Sequence, residues 1–414
     1  MWKDPYSCFE SKVLPNGLTL YANHQSGCPW ESVGFLIHSG AEQDPRGLEG
    51  LAHFVEHLVS ENSKYSNKEI NLFFENIGGS VSLGETGMLN TEYGFFIPIS
   101  SKCNLKKSFD IFGDMLLSAR IEKLIERERR IVLGEFYQRY RTPFDFKLEM
   151  KKNQALHSGR CLMISGNSES IERITKSDLQ EYYDLNYVPA NISIVGVGGL
   201  SISDLTDLVL DSPFSQEKVG SRTPLPEQME NVGRSLEEGY CFSMSEKYQV
   251  SFEVGLYRSF AKIPGNVNRQ VLIIMEKMLD DILFREIREK RSWAYDACSR
   301  WSRFAEFFEF SIDCGGLSLE AFDDIEGTVR HCIESLDDVH LFERKKLFEV
   351  NNITLFDLNA QQLCRNSISD LYRYGRIVSM DEYRKSIECV TLNDVRDLTR
   401  WIAPEMRWTL IAKP

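Results

Sequence analysis

Gly47-Leu48-Glu49-Gly50-Leu51-Ala52-His53-Phe54-Val55-Glu56-His57-Leu58 decides how the rest of this chain is read. Leu48, Leu51, Ala52, Val55 and Leu58 recur at three- and four-residue spacing, the mark of one buried helix face. His53 and His57 are four apart, so on a helix they lie one turn above each other and can share one ion. Glu56 directly precedes the second histidine and can reach a water held by that ion. Two ligands and a general base are the minimum for a metal-dependent hydrolase. A blander assignment fits the same residues: two satisfied histidines on a helix face, with no metal. What lies outward from the stretch has to decide between them.

The first decisive neighbour is a charged helix expected over Lys123 to Tyr140. It carries Glu128 and Glu135, seven apart and close to two full turns, so both carboxylates point the same way. A solvated, salt-bridged face is the commoner fate of such a charge run. Beside a His-x-x-Glu-His helix it matters more, because a catalytic zinc takes a third protein ligand and keeps one position open for water. The motif reverses His-Glu-x-x-His, the order found in inverted zincins.

Around these two helices the chain reads as strands and helices of a mixed domain. Val13 to Tyr21 is a hairpin turned by Asn16-Gly17. Ser32 to His38 and Thr91 to Ser100 are strand-like, while Lys68 to Ile77 and Leu105 to Ile121 are helical. Thr175 to Val195 reads as a capped helix, a stop at Pro189, then a strand. Thr391 to Ile411 repeats that arrangement around Pro404, which suggests a duplicated domain. Between the two copies, Ser212 to Glu238 is rich in Pro, Ser and Glu and reads as a linker. The expected division is therefore 1–212, a linker at 213–238, and 239–414. The second part opens with strands around Tyr248 to Leu256, then a long helix from about Val267 to Lys290 and two aromatic-rich strands within Trp293 to Asp313. Mostly helical sequence follows.

Composition narrows the class. The 414 residues suffice for two domains, and 42% apolar with 26% charged residues is ordinary for a globular protein. A net charge of −13 argues against nucleic acid or an anionic membrane as the main partner. No apolar run reaches the ~18 residues of a membrane span. The ten cysteines include no C-x-x-C pair, and the start has neither an apolar signal core nor transit-peptide character. These features set cytoplasm as the expected location.

Taken together, the residues resemble the M16 (pitrilysin/insulinase, mitochondrial processing peptidase) family of zinc metallopeptidases in its shorter two-domain form. The resemblance rests on Gly50 to His57 and on the Glu128/Glu135 pair. Gly166, Ile174-Thr175, Tyr187 to Asn191 and the run Leu283 to Tyr295 support it. It implies an α+β, M16/LuxS-like fold of two related domains, each a mainly antiparallel sheet packed with helices. It also implies one zinc ion per chain, held by His53, His57 and Glu135, with Glu56 as general base. Glu128 becomes a partner that orients a ligand histidine. Arg288 and Tyr295 match the family's pair on the later domain, where they stabilise the oxyanion and hold the peptide. Without the resemblance, those two would be a basic helix end and the start of an aromatic strand.

The implied activity is endopeptidase cleavage of short or unfolded peptides, leader or precursor segments among them, by a metal-activated water. Paired subunits are implied as well, either a homodimer or a heterodimer with another M16 subunit. The rival reading is a non-catalytic or partner-dependent subunit that binds peptide or acts as a scaffold. The sequence departs from the family along the edge strand, where substrate adds to the sheet. Asn-Ala becomes Ser82-Leu83, and one residue is extra before Thr91-x-Tyr93. Ser82, Leu83 and Gly84 are the substrate-binding candidates there, and the extra residue shifts which side chains face substrate unless the strand bulges. In the second half, Ser292-Trp293 replaces the family's usual Gly-Leu.

Overall fold

The computed structural model describes residues 4–61, 64–140, 146, 149–150, 152–153, 162–224, 241–242, 255–304, 307–353, 359–406 and 408–412. The chain forms two compact units, Met1–Leu225 with Phe356–Met380, and Pro226–Leu355 with Asp381–Pro414.

The first unit is built on a six-stranded sheet in the order β1-β2-β6-β3-β5-β4. Its strands are β1 (Phe9–Val13), β2 (Thr19–His24), β3 (Trp30–Ile37), β4 (Ser80–Thr86), β5 (Thr91–Pro98) and β6 (Ile192–Gly198). All neighbours are antiparallel except β2 and β6. Gly17 takes the positive φ that the Asn-Gly hairpin turn requires. The helices are α1 (Leu51–Glu61), α2 (Asn67–Asn76), α3 (Lys102–Leu117), α4 (Ile125–Arg139), α5 (Ser168–Arg173), α6 (Lys176–Asn186) and α7 (Ile202–Leu210). Residues Ile202–Leu210 are a helix that the sequence reading left unassigned.

The core of this unit lies on the helix-bearing face of the sheet. Phe35 of β3 stacks on Phe112 at 4.6 Å and on Phe214 at 5.3 Å. Phe214 is fully buried, so the expected linker does not begin at 213. Burying such a ring contributes about 1.5–3 kcal/mol, which overrides the loop-like composition around it. Farther on, Lys218 donates to Tyr187 O, Arg222 to Ser193 Oγ, and Thr223 N to Asn191 Oδ1. These bonds hold residues 213–224 on the first unit. The rest of the expected linker, 225–238, lies outside the described residues.

The second unit carries a five-stranded sheet in the order β7-β11-β8-β10-β9. These are β7 (Cys241–Phe242), β8 (Gly255–Pro264), β9 (Asp296–Arg303), β10 (Phe307–Leu317) and β11 (Trp408–Ala412). Only β7 and β11 run parallel. The strand expected around Tyr248 to Leu256 falls mainly outside the described residues. Helices α8 (Arg269–Leu283), α9 (Ile325–Glu334), α10 (Val339–Asn352), α11 (Ala360–Tyr374), α12 (Met380–Glu388) and α13 (Leu392–Glu405) complete the described chain. The long helix expected to Lys290 is α-helical only to Leu283, and Phe284–Glu289 continues it as a π-helical turn.

Helix α11 departs from the expected division, because it belongs to the first unit. It lies on the sheet face opposite the aromatic core, over β3 and β6. Cys364 Sγ contacts Val195 O at 3.5 Å. Ile368 sits against Gly34, where a Cβ would overlap its side chain. The glycine in β3 leaves room for the Ile368 side chain to seat against the strand.

Candidate metal centre

Helix α1 is set in place before its histidines are considered. Leu51, Ala52, Phe54, Val55, Leu58 and Val59 are buried, which leaves His53 and His57 on its one partly open stripe. Its first turn is capped from upstream: Asp44 accepts from Gly50 N at 2.7 Å and from Ala52 N at 2.8 Å. A carboxylate there satisfies orphan amides and complements the helix dipole. Gly50 and Gly166 both have positive φ and meet backbone to backbone, and Ser170 Oγ donates to Glu49 O at 2.7 Å. This explains why Gly166, distant in sequence, belongs to the site's pattern.

Helix α4 then brings its carboxylates to the histidines. Glu135 Oε2 lies 3.5 Å from His53 Nε2 and 3.6 Å from His57 Nε2. Glu128 Oε2 lies 3.5 Å from His57 Nδ1, and its side chain is only 2% exposed, against 47% for Glu135. The seven-residue spacing therefore delivers one carboxylate to the open side of the imidazoles and one to the buried side. Arg129, between them in sequence, donates to Ile174 O at 2.9 Å and covers the Phe54 ring at 5.2 Å, which ties α4 to α1 and to the end of α5.

The donor set fits a zinc ion. Tetrahedral zinc with ligands at about 2.0–2.1 Å holds its donor atoms ~3.4 Å apart, and the two Nε2 atoms approach Glu135 Oε2 at 3.5 and 3.6 Å. Burial, with His57 and Arg139 nearby, holds the His53 ring down at about 3, so it stays neutral and keeps a lone pair for a metal. Glu128 facing His57 Nδ1 favours a proton on that nitrogen and leaves Nε2 free to coordinate. Among the described residues, His53, Glu56 and His57 are the one group of three or more such side chains clustered tightly enough for an ion.

Glu56 belongs to that same cluster, and its carboxyl is engaged by two further neighbours. Its Oε2 accepts from Thr86 Oγ1 at 3.1 Å, and Gly84 of β4 packs directly over the carboxyl group. Burial pushes Glu56 up to about 7, while His57 and the Thr86 hydroxyl pull the other way. That is the range in which a carboxylate works as a general base near neutral pH.

Along the edge strand the extra residue is taken up by a bulge. Ser82 pairs with Gly94 but Glu85 pairs with Glu92, so three steps on β4 match two on β5. Of the three substrate-binding candidates, Ser82 is exposed at the sheet edge, Leu83 packs toward the core, and Gly84 faces Glu56. In the second unit, Arg288 lies in the π-helical turn and stacks on the Tyr295 ring at 4.2 Å and on Phe284 at 4.9 Å. Tyr295 is 75% exposed. Ser292, which stands where the family usually has glycine, takes φ +54°. Strained backbone of this kind collects at functional sites. Asp44 and Thr86 carry no signal in the sequence, since neither falls at a helical spacing from His53 and His57.

A His-x-x-Glu-His helix completed by a carboxylate from a second helix defines the zinc-peptidase type of centre. The chain belongs to the M16 peptidase family. The family model described as insulinase (peptidase family M16) matches residues 22–157, and that described as the peptidase M16 inactive domain matches 173–339. The beta subunit of the mitochondrial-processing peptidase of Neurospora crassa is 30% identical over 217 residues, which is 50% of this chain and 43% of that protein. This chain thus aligns with less than half the length of that relative. An uncharacterised zinc protease of Mycobacterium tuberculosis is 24% identical over 405 residues, covering 94% of this chain and 89% of the relative. In fold, a protease from Helicobacter pylori superposes with a TM-score of 0.81 at 17% identity, covering 98% of this chain and 99% of that one.

Proposed function

We propose that this protein is a zinc-dependent endopeptidase that hydrolyses short or unfolded peptides, leader or precursor segments among them. The observation that carries the reading is the meeting of His53 Nε2 and His57 Nε2 at Glu135 Oε2, with Glu56 in the same cluster and hydrogen-bonded to Thr86. A purely structural zinc site closes all four positions and needs no base.

His53, His57 and Glu135 would hold the ion, one per chain. Zinc in such a site acts as a Lewis acid and makes water acidic near neutral pH. Glu56 takes the proton from the attacking water and returns it to the leaving amine. Glu128 keeps the His57 ring oriented. The exposed edge of β4 around Ser80 to Ser82 suits a peptide adding as a further strand. Arg288 and Tyr295 are assigned to the oxyanion and the peptide backbone, a role in which a guanidinium and a phenol stabilise developing negative charge.

The partner is proposed to be a second copy of this chain or a homologous subunit, a reading supported by relatives named as subunits. The rival, a subunit without activity of its own, differs in what it does alone. A cytoplasmic location remains part of the proposal. It is supported by eight described cysteines, all free. No described helix is long and apolar enough to cross a membrane.

The experiment is to load the purified chain with zinc and profile cleavage of a peptide library, alone and with any co-purifying protein. Cleavage by the chain alone is expected. Mixing a Glu56→Gln chain with a Tyr295→Phe chain should recover activity if two copies share the work. No cleavage under any of these conditions sinks the peptidase reading.

A further inference from the structure

The edge strand β4 changes phase midway. Before the bulge, Val81 and Leu83 pack toward the core while Ser80 and Ser82 are exposed. After it, Glu85 is exposed and Thr86 is buried. Strict alternation from Leu83 would have placed Glu85 inward and Thr86 outward. The bulge absorbs one residue and restores the phase, a device that re-aims side chains beside active sites.

The geometry at the bulge is specific to the base. Gly84 has φ +154°, and a Cβ on it would lie 2.6 Å from Glu56 Cγ and overlap Oε1. Thr86 Oγ1 donates to the other oxygen, Oε2, from a buried position. One carboxylate oxygen is thus bounded by backbone and the other by a hydroxyl, so the carboxyl plane is fixed from both sides.

We infer that Thr86 is a positioning residue for the base and that the bulged Gly84 is the spacer that lets it reach Glu56. The inference rests on the peptidase reading for its kinetic consequence, but its geometric claim stands apart from that reading. Thr86 acts through Glu56, to which its hydroxyl donates.

The test compares Thr86→Val, which keeps the shape and removes the donor, with Thr86→Ser, which keeps the donor. In the zinc-loaded protein, Thr86→Val should retain zinc and the thermal transition. Its kcat should fall roughly 10–100-fold, the usual cost of removing a group that orients a site residue, with KM little changed. Thr86→Ser should restore most of kcat. Gly84→Ala, which pushes the carboxyl off its seat, should lose more than Thr86→Val while still binding zinc. A second readout needs no turnover: titration of the zinc-loaded chain with acetohydroxamate, whose N–H and O–H groups call on the base. Thr86→Val should weaken that binding in the parent protein and add nothing in a Glu56→Gln background, because the coupling runs through one carboxyl. Unchanged kcat in Thr86→Val, equal losses for Val and Ser, or the same hydroxamate loss with and without Glu56 would each overturn the inference. If the parent binds zinc but cleaves nothing, the peptidase reading fails while the hydroxamate titration still decides the clamp.

Discussion

The two sheets are laid out alike. Starting from the strand that pairs in parallel, the order is β2-β6-β3-β5-β4 in the first unit and β7-β11-β8-β10-β9 in the second. In each, a long helix follows the central strand, α1 after β3 and α8 after β8, and packs on a later helix, α4 or α10. The difference lies in what that helix pair brings together. On α1 and α4, two imidazoles meet the Glu135 carboxylate. On α8 and α10, Lys277 Nζ lies 3.3 Å from Glu349 Oε1. An ammonium supplies its own cation, so a carboxylate opposite it is already matched. Neutral imidazoles supply none, and the carboxylate opposite them is left to share an external one. Corresponding helix pairs in the two sheets thus carry a candidate metal site in one and an internal ion pair in the other.

Experiments can press on that contrast. The largest effect is expected for Glu56→Gln, which should retain zinc and lose roughly 10²–10⁴-fold in activity. If zinc is lost along with activity, Glu56 is a ligand and the division of roles falls. Next, Glu128→Gln should weaken zinc affinity about 10–100-fold, because a neutral amide replaces the charged partner of His57 Nδ1; affinity measured by competition with a chelator checks this.

A third test separates the units by pH. In β3, Glu31 is fully buried, accepts from Leu200 N at 2.9 Å, and has its other oxygen unpartnered; burial raises its carboxyl to about 8. The folded chain keeps a proton that the unfolded chain releases above about 4.5. Stability from this group is therefore full below that pH and is lost as pH rises toward 8. In β8, the corresponding central strand, Arg258 pairs with Asp313. Glu31→Gln should reduce the drop in melting temperature between pH 5 and 8 by several degrees. An unchanged drop assigns the dependence elsewhere. The smallest effect is expected at the ion pair: Lys277→Met with Glu349→Leu should shift stability by less than about 1 kcal/mol in either direction, since partly exposed pairs contribute little. A large loss would show that the pair holds α8 on α10 as firmly as the first unit's packing holds α1.

Much of this was legible in the sequence, and for definite reasons. The ligand helix announced itself because its chemistry and its burial obey the same helical period. Glu128 and Glu135 were recoverable because seven residues return to one helix face. The duplication showed through the repeated cap and strand, and both closing strands, β6 and β11, do occupy the same place in their sheets, although Pro189 follows its helix while Pro404 lies in the last turn of α13. Local pattern failed where a contact joins distant segments. Thr86 reaches Glu56 only through a bulge whose position depends on pairing with β5. Asp44 caps α1 across a loop rather than from the adjacent position. Pro213 to Ser215 has linker composition, yet one buried ring fixes it to the core. Helix α11 has an ordinary amphipathic pattern that does not say which sheet it will cover.

That last helix bears on the order in which the molecule can be made. The first sheet and the residues His53, Glu56, His57 and Glu135 are all present once residue 225 has been synthesised, but the helix that covers Gly34 and Val195 is not. Everything from Pro226 to Leu355 must emerge first, on the order of ten seconds at typical translation rates. During that interval the back of β3 and β6 is bare apolar surface on a nascent chain, a natural place for a chaperone to bind. A fragment cut after residue 225 would carry the same exposed face permanently, with every residue of the metal centre present.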